Sequence, residues 1–192
     1  GGTGAYILDL ISKTPVKEIH IFDGDIFQLH NAFRAPGATS GEKMDRVEEL
    51  MKVGYYAEIY SQMHNGIVAY PKYITSENIQ YLRGFDFVFI SVDSNEARAL
   101  IIKELLLMNI PFIDVGLGIT RVGEDLVGSL RVTLGSNIKQ DHLNKRIGSI
   151  EFENEEYATN IQIADLNCLN ASLAVIKWIK YIGFYQDLKK EN

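Results

Sequence analysis

The sequence predicts a doubly wound α/β fold, with a mostly parallel sheet, helices on both faces, and an antiparallel extension in the C-terminal half. Three observations carry this. Phe85 to Val92 is a nearly continuous run of β-prone apolar residues, the signature of a strand covered on both faces rather than one. Strand-like and helix-like stretches alternate as far as Val115, as they do in βαβ units. The chain also opens Gly1-Gly2-Thr3-Gly4 and reaches Asp23-Gly24-Asp25 after one helix and one strand. That separation, about 20 residues, is the one at which a glycine turn and the acid closing the next strand share one end of such a sheet.

Each element follows from local pattern. Residues 4–13 carry Ala5, Leu8 and Ile11 at helical spacing, with Pro15 just beyond the end. Val16 to Asp23 reads as a strand, apolar at Val16, Ile19 and Ile21 and closed by an acid. Residues 26–40, with Pro36 and Gly37, read as loop. Glu42 to Val53 is charged on one side and carries Met44, Val47, Leu50 and Met51 on the other, the pattern of a surface helix. Gly66 to Tyr70 is a short strand, and Ser76 caps a short helix ending at Gly84. After the Phe85–Val92 strand, Ser94 caps a helix over Asn95–Asn109, and Pro111 to Val115 is a second buried strand. Leu126 to Leu134 alternates as a strand with one exposed face does. Residues 135–158 are polar and close with Glu151, Glu153, Glu155 and Glu156; a lid over the site and an ordinary solvated connection fit them equally. Ile161 to Tyr185 is a long, mostly apolar helical stretch suited to packing under the sheet or at a subunit interface.

Composition narrows the classes. With 192 residues and 46% hydrophobic content, one core is expected, so residues 1–192 form a single domain. A glycine turn of this kind ordinarily follows a buried strand. None stands ahead of Gly1, and the expectation is a piece of a longer protein that lacks its first strand. A net charge of −6 argues against non-specific nucleic-acid binding, which needs a basic footprint. The longest apolar stretch, Leu169 to Tyr185, is broken by Asn170, Lys177 and Lys180, so no membrane span is expected. The single cysteine, Cys168, excludes an internal disulfide and a multi-cysteine zinc site. With no secretory signal in the sequence, the cytoplasm is the default compartment. Cys168 stands among Leu166, Leu169 and Ala171, which reads as a buried helical position with an inert thiol.

The polar residues point to chemistry at one end of the sheet. A glycine turn feeding a helix N-terminus turns backbone N–H groups toward a phosphate, and an acid such as Asp23 suits a ribose hydroxyl. Asn31, Arg34, Lys43, Asp93 and Asp114 fall where this fold binds ligand. Arg34 and Lys43 can grip a polyphosphate; taken singly, each also reads as a solvated surface charge. Asp93, closing a buried strand, can hold Mg²⁺ with few protein ligands, or serve as a turn acid beside the Ser94 cap.

The segment Asp23-Gly-Asp25-x5-Asn31-x2-Arg34, then Gly41-Glu42-Lys43, then Val92-Asp93-Ser94-Asn95-x2-Arg98, resembles the ThiF/MoeB superfamily of ubiquitin-activating-enzyme-like adenylyltransferases. The resemblance covers roughly residues 1–120 and continues more weakly through the helix at 160–182. It implies a Rossmann-like fold and an enzyme that uses ATP and Mg²⁺ to join a C-terminal carboxylate to AMP, releasing pyrophosphate. It further implies that Gly2 and Gly4 line the nucleotide phosphates and that Asp23, with Asp25 beside it, takes the ribose end. Asn31, Arg34 and Lys43 would hold the triphosphate, and Asp93 the Mg²⁺, with Arg34, Lys43 and Asp93 acting in catalysis. The implied acceptor is a ubiquitin-like or sulfur-carrier-type small protein, or a peptide carboxylate, and the implied assembly is a homodimer. Three departures qualify the pattern. The paired C-x-x-C motifs of zinc-binding members are missing, so no structural zinc is expected. Residues 120–158 hold no cysteine, so adenylation without a thioester step is expected. The arginine finger of the family comes from residues ahead of the glycine turn of a partner subunit, and this sequence does not show them. A non-catalytic, nucleotide- or partner-binding relative is the alternative, and a nicotinamide-dependent oxidoreductase is suggested only by the glycine turn and Asp23.

Overall fold

The first helix, α1, spans Gly2–Ile11 and starts earlier than its apolar spacing suggests, with Gly1 at its N-cap. The computed structural model describes residues 1–38, 50–147 and 162–186. After Pro15 the chain enters β1 (Ile19–Phe22), which pairs in parallel with β2 (Ile67–Tyr70), Ile19 opposite Ile67 and Phe22 opposite Tyr70. Between them lie a short helix α2 (Leu29–Ala32) and α3 (Lys52–Tyr60). The expected helix over Glu42–Val53 falls mostly outside the described residues. Within them the helix begins at Lys52 and runs on to Tyr60, burying Val53, Tyr55 and Tyr60.

No α-helix follows Ser76; a single 3-10 turn (Ile79–Leu82) replaces it. Asn78 organises the entry, its Oδ1 accepting the Thr75 N–H at 2.8 Å and its Nδ2 donating to the Tyr73 carbonyl at 2.8 Å. Of the Phe85–Val92 run, only β3 (Val88–Ile90) pairs, in parallel with β4 (Phe112–Val122). The intervening helix α4 (Asn95–Leu107) has Ser94 as its N-cap, as expected, with Oγ accepting the Ala97 N–H at 3.2 Å. It stops because Asn109 adopts φ +56°, a left-handed conformation that asparagine tolerates better than most residues.

β4 outruns its expected end at Val115. It forms an antiparallel hairpin with β5 (Asp125–Gly135), in register from Phe112–Gly135 to Val122–Asp125. Gly116 and Gly118 suggest the end of a strand, yet they sit inside it. A Cβ on Gly116 would lie 3.0 Å from the Arg131 guanidinium, and one on Gly118 2.9 Å from Ser129 Oγ. The glycines make room for side chains from across the ladder. Beyond β5 come α5 (Leu143–Ile147) and α6 (Ala164–Tyr181). Most of the acidic half of the expected lid, including Glu151 to Glu156, lies outside the described residues.

The core has two halves. Ile7 and Ile11 of α1 and Ala171, Ala174, Val175 and Trp178 of α6 pack on one face with Ile113 and Val115. Ile101 and Leu105 of α4, with Leu82 and Leu143, pack on the other with Ile90 and Phe112. Phe112 and Ile113 are neighbours in sequence and serve opposite layers, because successive strand side chains point to opposite faces. Helices therefore cover both faces, as the sequence predicts.

Cys168 corrects one expectation, for it is exposed. The buried stripe of α6 runs through Asn167, Asn170, Ala171, Ala174, Val175 and Trp178, which leaves Cys168 and Leu169 turned outward. Among the described residues, no helix is long and apolar enough to cross a membrane.

Candidate active site

β1 ends at Phe22, and the next three residues build a corner. Asp23 Oδ1 accepts the Asp25 N–H at 2.9 Å, and Asp23 Oδ2 lies 3.6 Å from the Gly1 amino nitrogen. The chain then pairs locally with the approach to α3. Phe27 N–H donates to the Leu50 carbonyl at 2.8 Å, Lys52 N–H donates to the Asp25 carbonyl at 2.9 Å, and Ile26 bridges Met51. This pairing lays the Lys52 ammonium against the Asp25 carboxylate, which also accepts a hydrogen bond from the Tyr73 hydroxyl. Burial alone would raise the Asp25 carboxyl. The hydrogen bonds from Lys52 and Tyr73, with the Lys52 charge, outweigh it and hold the group below its ordinary value. The same bond to Asp25, with smaller help from burial, pushes the Tyr73 phenol up to about 12. Gly24 lets the Tyr73 ring lie over the turn, since a Cβ there would stand 2.6 Å from it.

Phe27 anchors the following loop. It is 1% exposed, with its ring 4.0 Å from that of Tyr55. Buried Asn31 shapes the next turn, its Oδ1 accepting the Gln28 N–H at 2.8 Å and its carbonyl accepting the Arg34 N–H at 3.3 Å. Gly1, Gly2, Asn31, Arg34, Lys52 and Tyr56 thereby surround one small depression. Arg34 Nε is buried and has no hydrogen-bond partner among the described residues, and a buried guanidinium N–H without an acceptor is costly. Lys43 lies outside the described residues, so its place at the site stays with the sequence expectation.

The glycine turn is held from α6 and from Gln162 just ahead of it. Gly2 N–H donates to Gln162 Oε1 at 3.2 Å, and Thr3 Oγ1 donates to Asn167 Oδ1 at 2.8 Å. A Cβ on Gly2 would fall 2.3 Å from Asn167 Nδ2, so the close passage of Asn167 requires glycine there. Gly4 sits within α1, where a Cβ would meet Ser91 at 3.4 Å, an ordinary contact.

Asp93 follows β3 and is exposed on the same rim. Gly1, Asp23, Asp25 and Asp93 line one cavity, so the residues just past β1 and β3 come to the same site. The loop bearing Asp93 is clamped from behind. Arg98 donates through Nη2 to the Val92 carbonyl, through Nη1 to Asn95 Oδ1 at 2.6 Å and through Nε to Asp114 Oδ1 at 3.1 Å. Arg131 Nη2 donates to Asp114 Oδ2 at 2.6 Å, crossing over Gly116 to do so. Asp114 therefore departs from its expected place among ligand-facing residues. It is fully buried with both oxygens taken. Burial pushes its carboxyl above the ordinary value and the two guanidiniums oppose that rise.

Lys52, Tyr73, Arg131 and Asn167 are absent from the sequence reading of the site. Only Lys52 carries a local signal, since it opens an apolar helical run just as first-turn residues do. The other three reach the site from distant elements.

The fold has solved relatives. E. coli tRNA N6-threonylcarbamoyladenosine dehydratase, TcdA, superposes with a TM-score of 0.65 over 95% of this chain and 82% of its own, at 17% identity. PaaA gives 0.66 over 97% of this chain and 63% of its own, also at 17%. E. coli MccB, solved with ATP, gives 0.65 over 97% of this chain and 55% of its own, at 21%. The chain thus spans little more than half of MccB. No curated protein sequence matches significantly. Identities this low speak for the fold alone. A second line of likeness rests on sequence, for the ThiF family profile matches residues 1–122, the stretch that holds the glycine turn, the Asp23–Arg34 corner, Asp93 and the Asp114 clamp. The chain belongs to the ThiF family.

Proposed function

We propose that this chain is an adenylating domain that uses ATP and Mg²⁺ to activate the carboxylate of a peptide or small protein, without a cysteine thioester step. The observation that carries the reading is the convergence of Gly1, Gly2, Asn31, Arg34 and Lys52 on one depression, together with a buried Arg34 N–H that has no acceptor among the described residues. Two cations beside backbone at a helix N-terminus form a donor set for phosphate. Lys52 joins Arg34 in that role, and Lys43 is kept from the sequence pattern. Asp23 faces the glycine turn, where a ribose hydroxyl would meet its carboxylate. Asp93 is one exposed carboxylate on the rim, a donor that suits a magnesium ion whose remaining ligands are water and phosphate. Magnesium there would neutralise phosphate charge.

The acceptor carboxylate oxygen attacks the α-phosphorus of ATP, the bond to the β-phosphate oxygen breaks, and pyrophosphate leaves. Arg34 and Lys52 orient the triphosphate and meet the charge that builds on the leaving group, which is the whole of the protein's task in such a step. MccB, solved with ATP, with AMPCPP and with MccA, makes a nucleotide and a carboxylate-bearing partner the ligands to try first. Cys168 does not line the depression or the cavity beside it, which supports activation without covalent transfer. An outward apolar ridge on α6, Leu169, Leu173 and Ile176 at 48%, 44% and 43% exposure, supports a homodimer.

The test is ligand-induced stabilisation. ATP with Mg²⁺ raises the melting temperature of the protein, NADH does not, and Asp93→Ala loses the magnesium-dependent part while melting normally without ligand. Stabilisation by NADH would make the chain an oxidoreductase. No stabilisation by ATP would make it the non-catalytic relative.

A further inference from the structure

The Ala5 N–H closes the first turn of α1 on the Gly1 carbonyl at 3.1 Å, so the N–H groups of Gly2, Thr3 and Gly4 have no acceptor inside the helix. Gln162 supplies one for Gly2, its side-chain oxygen Oε1 at 3.2 Å. Asn167 brings a second donor to the same spot. The position that a Cβ on Gly2 would fill lies 2.3 Å from Asn167 Nδ2 and 2.9 Å from Gln162 Oε1. Asn167 is fully buried, its Oδ1 is taken by the Thr3 hydroxyl, and its Nδ2 has no hydrogen-bond partner among the described residues. A buried amide N–H left without an acceptor is costly. Two donors thus meet one neutral amide oxygen, which serves only one of them. The spot also opens onto the site. Gly2 borders the depression that holds Arg34 and Lys52, and Gly2 and Gln162 both line a cavity of about 1940 Å³ shared by strands of the β1–β2 and β3–β4–β5 ladders.

We infer that the Gly2 N–H and Asn167 Nδ2 form a paired donor site for one anionic oxygen, a phosphate oxygen of the nucleotide, and that the Gln162 side chain occupies this site as an exchangeable stand-in until the anion displaces it. This inference rests on the adenylating reading only for the identity of the anion. Charge decides the exchange. A phosphate oxygen has lone pairs for both donors, and charge-assisted hydrogen bonds are roughly twice as strong as neutral ones; Gln162 offers a neutral oxygen to one donor. The first turns of α1 and α6 meet here through Thr3 and Asn167, so both helices turn their positive ends toward the anion. Arg34 and Lys52, on the neighbouring depression, add attraction. Glycine at position 2 keeps the spot free of a side chain. Because Gln162 must leave before the anion arrives, its contact lowers the apparent affinity by the fraction of molecules in which the site is covered. The two neighbouring amides therefore have opposite roles: Asn167 binds the anion, and Gln162 competes with it.

The experiment titrates the protein with ATP and Mg²⁺, and in parallel with inorganic pyrophosphate, by calorimetry, alongside a melting curve of each variant without ligand. Gln162→Ala uncovers the two donors and is expected to tighten binding by about two- to tenfold, the range of one ordinary hydrogen bond, while its own melting temperature does not rise. Gln162→Asn, whose amide is one methylene shorter, should match it, and Gln162→Glu, which sets a carboxylate against the donors, should weaken binding. Asn167→Asp keeps the acceptor for Thr3 and removes the Nδ2 donor, and should weaken binding by at least about tenfold, the scale of a hydrogen bond to a charged group. If that variant does not melt cooperatively, the Gln162 series decides alone. Binding by Gln162→Ala that equals the parent's or is weaker would overturn the inference, because Gln162 is then a clamp on the turn or a ligand itself. An Asn167→Asp protein that melts cooperatively and binds as the parent does would overturn it too. Pyrophosphate binding tightened by Gln162→Ala, with ATP bound by neither protein, would remove the nucleotide reading and leave the paired donor site standing. Binding of neither anion to either protein would overturn both.

Discussion

Asp114 and Asp25 each spread one carboxylate over two partners, and the contrast between them separates scaffold from site. Asp114 is wholly buried and is held by Arg98 of α4 and Arg131 of β5, two elements on different parts of the fold. Asp25 has a side chain 46% exposed and is held by Lys52 and Tyr73 on the rim of the depression. A sealed carboxylate between two guanidiniums has no capacity left for a ligand, and its removal strands two charges. An open one positions a neighbouring cation and can let it go. Lys52 is therefore presented beside Arg34 with its orientation set before any ligand arrives.

The contrast can be broken most severely at its sealed end. Asp114→Asn should cost about 3–5 kcal/mol, the usual consequence of removing one member of a buried ion pair, measured by urea denaturation; a loss under about 1 kcal/mol would mean that the guanidiniums find other acceptors. At the open end the effect moves from stability to turnover. Arg34→Ala and Lys52→Ala should each reduce ATP turnover by at least about a hundredfold, the scale of a single electrostatic donor. Only Lys52→Ala should also lower the melting temperature, because Asp25 then loses its cation. An Arg34→Ala protein that fails to fold would place that residue with the scaffold.

Acid sharpens the comparison further. The folded carboxyl of Asp25 lies below its unfolded value, so the stability it contributes is present above about pH 4, the unfolded value, and is lost as pH falls through the folded one. The difference in melting temperature between the parent and Asp25→Asn should shrink on going below pH 4; a constant difference would show that its bonds to Lys52 and Tyr73 do not depend on charge. The smallest effect is expected at Cys168. As an exposed residue, its replacement by alanine should change stability by no more than about 0.5 kcal/mol, and its thiol should react with a chromogenic disulfide without denaturant. A thiol that reacts only after unfolding would restore the buried reading.

The legible parts of the molecule are those written in short-range pattern. The Phe85–Val92 run marks a strand, though one that pairs only over Val88–Ile90 and stands at the end of its three-stranded ladder, and Ser94 marks the start of α4. Asp23, Asn31 and Arg34 are spaced closely enough that one corner had to hold them. What escaped depends on residues that meet only in three dimensions. Asn167 and Asn170 look like the wet side of α6 and are fully buried, one accepting from Thr3 and the other donating to the Gly116 carbonyl at 3.0 Å. That exchange of faces is why Cys168 was misplaced by a third of a turn. Asp114 looks like another strand-end acid until Arg131 arrives from β5, and Gly116 looks like a strand's end until that arginine needs its space. Lys52 is aimed by an isolated bridge, Ile26 to Met51, which no propensity foretells.

The chain contains one tryptophan, and its location makes the protein its own optical probe. Trp178 is 8% exposed and lies 6.1 Å from the Phe89 ring and 6.4 Å from that of Phe87, on the wall of the cavity between the two ladders. Indole emission moves to shorter wavelength as water leaves its surroundings. Because no second indole dilutes the signal, the colour of the native fluorescence reads out the wetness of that interior directly, in an unlabelled sample and in real time.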